Sequence, residues 1–191
     1  MGEHEVGRPA VFLDRDGVIN KPVLREGRPH PPAEVKDFEL YQDVAAGCAR
    51  LDAAGYLLVV ATNQPDVARG TQTRPTVEAM HRKMLEVLPQ LARVEVCWHA
   101  GTDGADPCDC RKPQPGMVLR AAKALNIDLT QSFLIGDRWR DVDCGHAAGC
   151  RTIFIDRNYS ETLKHKPDWT VKSFGEAVDV ILSAERRPVR A

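Results

Sequence analysis

Asp14-Arg15-Asp16-Gly17 follows four apolar residues, Ala10 to Leu13. In an extended chain, side chains at i and i+2 share one side. The carboxylates of Asp14 and Asp16 can therefore converge at the end of a buried strand. Two like charges held together require a cation, a proton or a substrate group between them. Other reactive types recur after apolar runs: Thr62 and Asn63, then Arg111-Lys112-Pro113, then Asp137 in Ile135-Gly136-Asp137. Asp14, Asp16 and Asp137 could form a hard-oxygen site of the kind magnesium takes. A threonine hydroxyl and a lysine ammonium suit a phosphoryl group under attack. No Ser-His or Cys-His arrangement stands at a strand end, so an aspartate is the natural candidate for covalent nucleophile. Each residue also has an ordinary reading. Asp-Gly after a strand is often only a turn, and Asp141 could be an acidic residue in a helix's first turn.

A second constellation is soft. Cys97-Trp98-His99 is followed, eight residues later, by Cys108-Asp109-Cys110. Three thiolates and an imidazole fill a tetrahedral zinc site with no open position, which marks a structural metal. The spacer, Ala100 to Pro107, reads as a loop that folds back. It leads directly into Arg111-Lys112, so a zinc staple would hold those cations relative to Asp14. The remaining cysteines, Cys48, Cys144 and Cys150, sit among Ala, Gly and apolar residues and read as small buried hydrophobes.

These residues need a scaffold, and the chain alternates strand and helix. Buried strands are expected at Ala10–Asp14, Tyr56–Ala61, Val94–Trp98, Ser132–Gly136 and Thr152–Ile155, with a short one at Asp168–Val171. Helices are expected at Asp43–Ala54, after the Thr73 cap, at Pro115–Asn126, at Asp141–Ala148, and after the Ser173…Glu176 capping box. Asn20 to Leu40 reads as a long irregular excursion and Asn63 to Gln72 as a polar loop. Continuous apolar strands alternating with helices mean a parallel sheet covered on both faces. Asp14, Thr62, Lys112 and Asp137 then fall at or beyond the carboxyl ends of strands, where open sheets of this kind bind ligands.

The 191 residues suit a single domain, 1–191, with a polar tail from about 186. A formal net charge of −1 offers no broad basic field for nucleic acid or anionic lipid. No apolar run approaches the roughly 20 residues of a membrane span. Met1 to Pro9 carries no apolar signal core. A cytoplasmic monomer without nucleic-acid or membrane partners is the expectation.

The four groups Asp14-x-Asp16, Thr62, Lys112 and Asp137-x-x-x-Asp141 together resemble the haloacid dehalogenase-like superfamily of phosphohydrolases. That resemblance implies a three-layer, Rossmann-like α/β fold with a minimal cap. It implies Asp14 as nucleophile, Asp16 as general acid and then base, and Thr62 and Lys112 on the phosphoryl oxygens. It places magnesium on the Asp14 carboxylate, the Asp16 backbone carbonyl and Asp137, and has Asp141 supporting the metal through water or orienting Lys112. Within the superfamily, Cys108-Asp109-Cys110-Arg111-Lys112-Pro113-Gln114-Pro115-Gly116-Met117 and Phe12-Leu13-Asp14-Arg15-Asp16-Gly17-Val18-Ile19-Asn20 are similar to the D-glycero-D-manno-heptose 1,7-bisphosphate phosphatases. The implied activity is removal of the 7-phosphate from a small phosphorylated sugar. Arg111 and Arg138 would contact the part not cleaved, with Asn63 and Arg69 as further substrate-binding candidates. The chain departs from that family at Pro65-Asp66-Val67 and at Arg25–Pro32. Histidinol-phosphate phosphatases are the alternative of the same chemistry. A phospho-accepting receiver and a zinc-stabilised interaction module without activity are the alternatives of another class.

Overall fold

Six parallel strands form one sheet in the order β5-β4-β1-β6-β7-β8. The computed structural model describes residues 7–25, 28–101 and 108–184. The strands are β1 (Ala10–Leu13), β4 (Leu57–Asn63), β5 (Leu91–Cys97), β6 (Phe133–Gly136), β7 (Arg151–Ile155) and β8 (Trp169–Val171). The helices are α1 (Val44–Ala53), α2 (Pro65–Ala68), α3 (Arg74–Val87), α4 (Gly116–Leu125), α5 (Trp139–Ala148) and α6 (Phe174–Ala184). A separate antiparallel hairpin pairs β2 (Val23–Arg25) with β3 (Arg28–His30).

Strand β1 shows why the sheet has two covered faces. All four of its residues are buried, and they alternate sides. Val11 and Leu13 pack with residues of α1, α3 and α6, including Cys48, Met84 and Ile181. Ala10 and Phe12 pack with Val118 and Ala121 of α4 and Cys144 and Ala148 of α5. Each large side chain so buried contributes roughly 1.5–3 kcal/mol. Strand β1 pairs with β4 on one side and β6 on the other. The chain therefore leaves it in one direction and later returns to the other, which makes its carboxyl end the switch point of the sheet.

The expected elements form with adjusted ends. Helix α5 starts at Trp139, two residues before Asp141, because the Asp141 carboxylate accepts from the Arg138 backbone N–H at 3.0 Å and closes the first turn. The segment from Asn20 to Leu40, expected to be irregular, contains the β2–β3 hairpin and a 3₁₀ turn at Val35–Asp37. The loop from Asn63 to Gln72 holds the short helix α2, started by Pro65. In the last helix Ser173 caps the Glu176 N–H at 3.1 Å, while the Glu176 carboxylate reaches Lys172 N instead of the cap residue. The expected tail from 186, and residues 102–107 of the cysteine loop, lie outside the described residues. Among the described residues no helix is long and apolar enough to cross a membrane.

Candidate active site

The Asp14 N–H still donates to Ile135 O at 3.0 Å, so Asp14 is held as the last rung of the central strand. The chain then turns sharply at Gly17, whose φ is +91°. A Cβ built there would lie 1.8 Å from Asp137 Oδ2. The glycine thus permits both the left-handed turn and direct contact between the Asp14 turn and Asp137. A second close approach stands beside it: a Cβ at Gly136 would meet the Asp141 Cβ at 2.0 Å.

Lys112 brings the pieces together. Its Nζ lies 2.8 Å from Asp14 Oδ1 and 2.7 Å from Asp141 Oδ1, and its side chain is 2 % exposed. Burial disfavours the ammonium, yet Asp14 and Asp141 outweigh it and hold the lysine pKa above its ordinary value. For Asp14 burial wins: its pKa rises to about 6, Asp141 and Asp16 adding to the rise and Lys112 opposing it. Asp137 is pushed well above the usual carboxylate range by burial first, then by Asp14 and Asp141. Its Oδ1 is buried without a hydrogen-bond partner. One ligand oxygen each from Asp14, Asp137 and Asp141 falls within 4.8 Å of the others. Asp141 thus serves Lys112 and also belongs to the carboxylate cluster.

The end of β4 ties two loops together. Asn63, expected to bind substrate, spends both ends of its amide on the backbone of Lys112. Its Nδ2 donates to Lys112 O at 3.1 Å, and its Oδ1 accepts from Lys112 N at 3.0 Å. It clasps the lysine loop onto the strand and also lines the cavity described below. Thr62 is buried, and its Oγ1 accepts from Gln64 Nε2 at 2.9 Å. Gln64 also donates to Asp16 Oδ2 at 3.0 Å. Sequence reasoning passed over Gln64, though a polar residue one position beyond Thr62-Asn63 was the available signal.

Above these residues opens a cavity of about 290 Å³, lined by Asp14, Asp16, Lys112 and Asp137 at its base and by Arg69, Arg111, Arg138 and Arg140 on its walls. His30 and three prolines of the β2–β3 region line it too, so the divergent stretch near Arg25–Pro32 does border the site. The arginines are not equivalent. Arg138 is held in a fork by Glu161, Nε to Oε2 at 2.6 Å and Nη2 to Oε1 at 2.8 Å. Arg69 faces Asp66 at 3.4 Å and donates to Ala100 O at 3.1 Å. Among the described residues Arg111 reaches the His99 carbonyl, at 3.5 Å. Burial and then Arg140 pull its pKa down, so these two cations crowd each other with no carboxylate between them among the described residues. Arg140 was missed in the sequence; its signal was a second basic residue in the turn after Asp137.

The segment after β7 buttresses residues of the site. Arg157 Nε donates to Gly17 O at 2.9 Å, Tyr159 lies under the Arg138 guanidinium at 5.8 Å, and Glu161 holds Arg138. Asn158, Ser160 and Thr162 alternate with them on the exposed side.

At the end of β5 the four soft ligands assemble. Cys97 Sγ is 3.5 Å from His99 Nδ1 and 3.8 Å from Cys108 Sγ, and Cys110 Sγ is 3.2 Å from His99 Nδ1. All four ligand atoms lie within 4.8 Å of one another. Two sulfurs sharing a tetrahedral zinc at about 2.3 Å would stand about 3.8 Å apart, the separation found between Cys97 and Cys108. The chain passes from this cluster straight into Arg111 and Lys112.

Comparison with known proteins agrees with this geometry. A family model described as "HAD-hyrolase-like" matches residues 109–177. The D-glycero-beta-D-manno-heptose-1,7-bisphosphate 7-phosphatase of Rhodopseudomonas palustris is 41 % identical over 150 residues, covering 74 % of this chain and 80 % of its own. The enzyme of that name from Escherichia coli K12 is 32 % identical over 189 residues, covering 93 % and 96 %. The crystal structure of D,D-heptose 1,7-bisphosphate phosphatase from B. bronchiseptica, complexed with magnesium and phosphate, superposes with a TM-score of 0.78 at 27 % identity, covering 92 % of this chain and 99 % of that one. A strand-end carboxylate cluster with its buried lysine, a Cys/His cluster beside it and relatives matched over most of their length lead to one assignment: the chain belongs to the D-glycero-beta-D-manno-heptose-1,7-bisphosphate 7-phosphatase family of HAD-like phosphatases.

Proposed function

We propose that this protein is a magnesium-dependent phosphomonoesterase, a single hydrolase domain that removes the 7-phosphate of D-glycero-D-manno-heptose 1,7-bisphosphate through an aspartyl-phosphate. The observation that carries the reading is the pair of contacts on Asp14. Arg15 N, at 2.8 Å, and Lys112 Nζ, at 2.8 Å, both engage Oδ1. Among the described residues none donates to Oδ2, and Asp14 lines the cavity, so Oδ2 is the oxygen assigned to attack phosphorus. Asp14 Oδ2 bonds to phosphorus as the P–O bond to the sugar breaks. Asp16 gives its proton to the departing sugar oxygen. It then takes a proton from the water that hydrolyses the aspartyl-phosphate, which returns both aspartates to their starting forms. Lys112 and Thr62 hold phosphoryl oxygens through these steps.

Magnesium fits the donor set, since hard carboxylate oxygens surround one point and Asp137 Oδ1 is buried without a partner. Asp14, Asp137 and the backbone carbonyl of Asp16 would hold it, and when bound it supplies positive charge to the phosphoryl oxygens. Zinc fits Cys97, His99, Cys108 and Cys110, in a closed site that holds the Arg111-Lys112 loop. The second phosphate of the substrate is assigned to Arg111 and Arg140. Arg138, engaged by Glu161, is a weaker candidate for that role.

The test is Asp14→Asn. Loss of turnover with an unchanged melting temperature is expected; hydrolysis at the wild-type rate would refute the nucleophile. A panel of heptose bisphosphate anomers, histidinol phosphate and hexose phosphates tests the substrate, and a kcat/KM preference for histidinol phosphate would overturn it.

A further inference from the structure

Among the described residues Arg15 is the largest side chain that the fold buries completely. A guanidinium remains charged, and a buried charge is tolerated only where directed partners replace water. Its partners are few. Nη2 donates to both oxygens of its neighbour Asp16, at 2.9 and 2.8 Å. Nη1 donates to His81 Nε2 of α3 at 3.2 Å. The guanidinium lies 5.6 Å from the Phe38 ring centroid, and Nε has no partner. The geometry requires an acceptor nitrogen on His81. Burial and the Arg15 charge push the His81 pKa down to about 4, so the neutral ring provides one.

Two aspartates two residues apart thus have separate cations, Lys112 for Asp14 and Arg15 for Asp16. Asn20 Nδ2, at 3.0 Å to Oδ1, and Gln64 Nε2, at 3.0 Å to Oδ2, complete the frame around Asp16.

We propose that Arg15, seated on His81, is a positioning residue that fixes the Asp16 carboxylate in the orientation from which it serves the leaving-group oxygen. The inference rests on Asp16 being the proton donor, as argued under the proposed function. It makes His81, 66 positions away in sequence, part of the acid's support.

Leaving-group dependence tests it. An alkyl phosphate releases an alkoxide that needs the proton; 4-nitrophenyl phosphate releases a phenolate that does not. General acids contribute roughly 10²–10⁴-fold. The kcat/KM ratio, alkyl over aryl, is expected to fall ~100-fold in Asp16→Asn and ~10-fold in Arg15→Met, an apolar replacement that removes the buried charge. In His81→Phe it should fall about threefold, again read against the general-acid range. His81→Gln, which keeps an acceptor, should return the ratio to the wild-type value. If the Arg15 variant does not fold, the His81 pair carries the test. Parallel loss on both substrates in Arg15→Met and His81→Phe, with the ratio unchanged, would reduce Arg15 to structural support and overturn the inference alone. An unchanged ratio in Asp16→Asn would remove the acid role and the inference with it.

Discussion

Acid should weaken this fold through a histidine outside the carboxylate cluster. His81 is 7 % exposed, on α3, with Arg15 Nη1 3.2 Å from its ring. Burial first, and the Arg15 charge second, depress its pKa from 6.5 to about 4, with Asp16 and Glu78 opposing. In the unfolded chain the ring regains its ordinary value and binds a proton sooner than in the native state. The depressed pKa therefore contributes stability that is complete above pH 6.5 and is lost as pH falls toward 4. The shift of about 2.5 pH units, at 1.36 kcal/mol each, corresponds to about 3 kcal/mol, a large share of an ordinary domain's net stability. The assay is urea unfolding of wild type and His81→Gln at pH 7, 6, 5 and 4. Glutamine does not titrate, and groups remote from His81 are common to both proteins, so their difference reports on His81 and its immediate partners. Wild type should lose about 3 kcal/mol relative to the variant between pH 7 and pH 4. A difference flat within about 0.5 kcal/mol, or a ring that titrates above pH 6.5 by NMR, would refute the assignment of a neutral acceptor beside Arg15.

Two further outcomes follow from the geometry. Removing zinc with a thiol-compatible chelator should lower Tm by about 10 °C, from a linkage of roughly 4 kcal/mol; zinc-free protein that melts at the same temperature, with metal analysis as the check, would remove the staple. Gly17→Ala and Gly55→Ala form a matched pair, since both glycines have φ of +91° but only Gly17 has Asp137 within reach of a Cβ. Gly55→Ala should cost about 1–2 kcal/mol with turnover retained, while Gly17→Ala should cost more and abolish turnover, as measured by denaturant unfolding and phosphate release.

What could be read from the chain followed strand-end grammar. Asp14 and Asp137 each close an apolar run, and short runs buried on both faces are legible one residue at a time. The cysteines and His99 were legible because metal ligands must be these types at close spacing. The rest depended on partners distant in sequence. Nothing around Asn63 tells that its amide will be consumed by Lys112, 49 residues later. Arg15 reads as the middle letter of a motif until the fold puts His81 beside it. Arg138 reads as a substrate contact, and its engagement by Glu161 goes unseen because Glu161 comes from a segment with no pattern of its own. The β2–β3 hairpin escaped notice because strands of three residues offer too few positions for alternation to register.

The segment from Arg157 to Thr162 divides its labour by parity, and that has a practical use. Its odd positions are tied to the nucleophile turn and the arginine wall, while Asn158, Ser160 and Thr162 are exposed. A cysteine introduced at Ser160 would carry a fluorophore next to the supports of Arg138 without borrowing any side chain that the reaction uses. The same parity divides a mutational library. Variation at the even positions samples solubility and labelling, and variation at the odd positions samples the support of Gly17 and Arg138. One short stretch of backbone thus offers a reporter and a set of buttresses that can be adjusted separately.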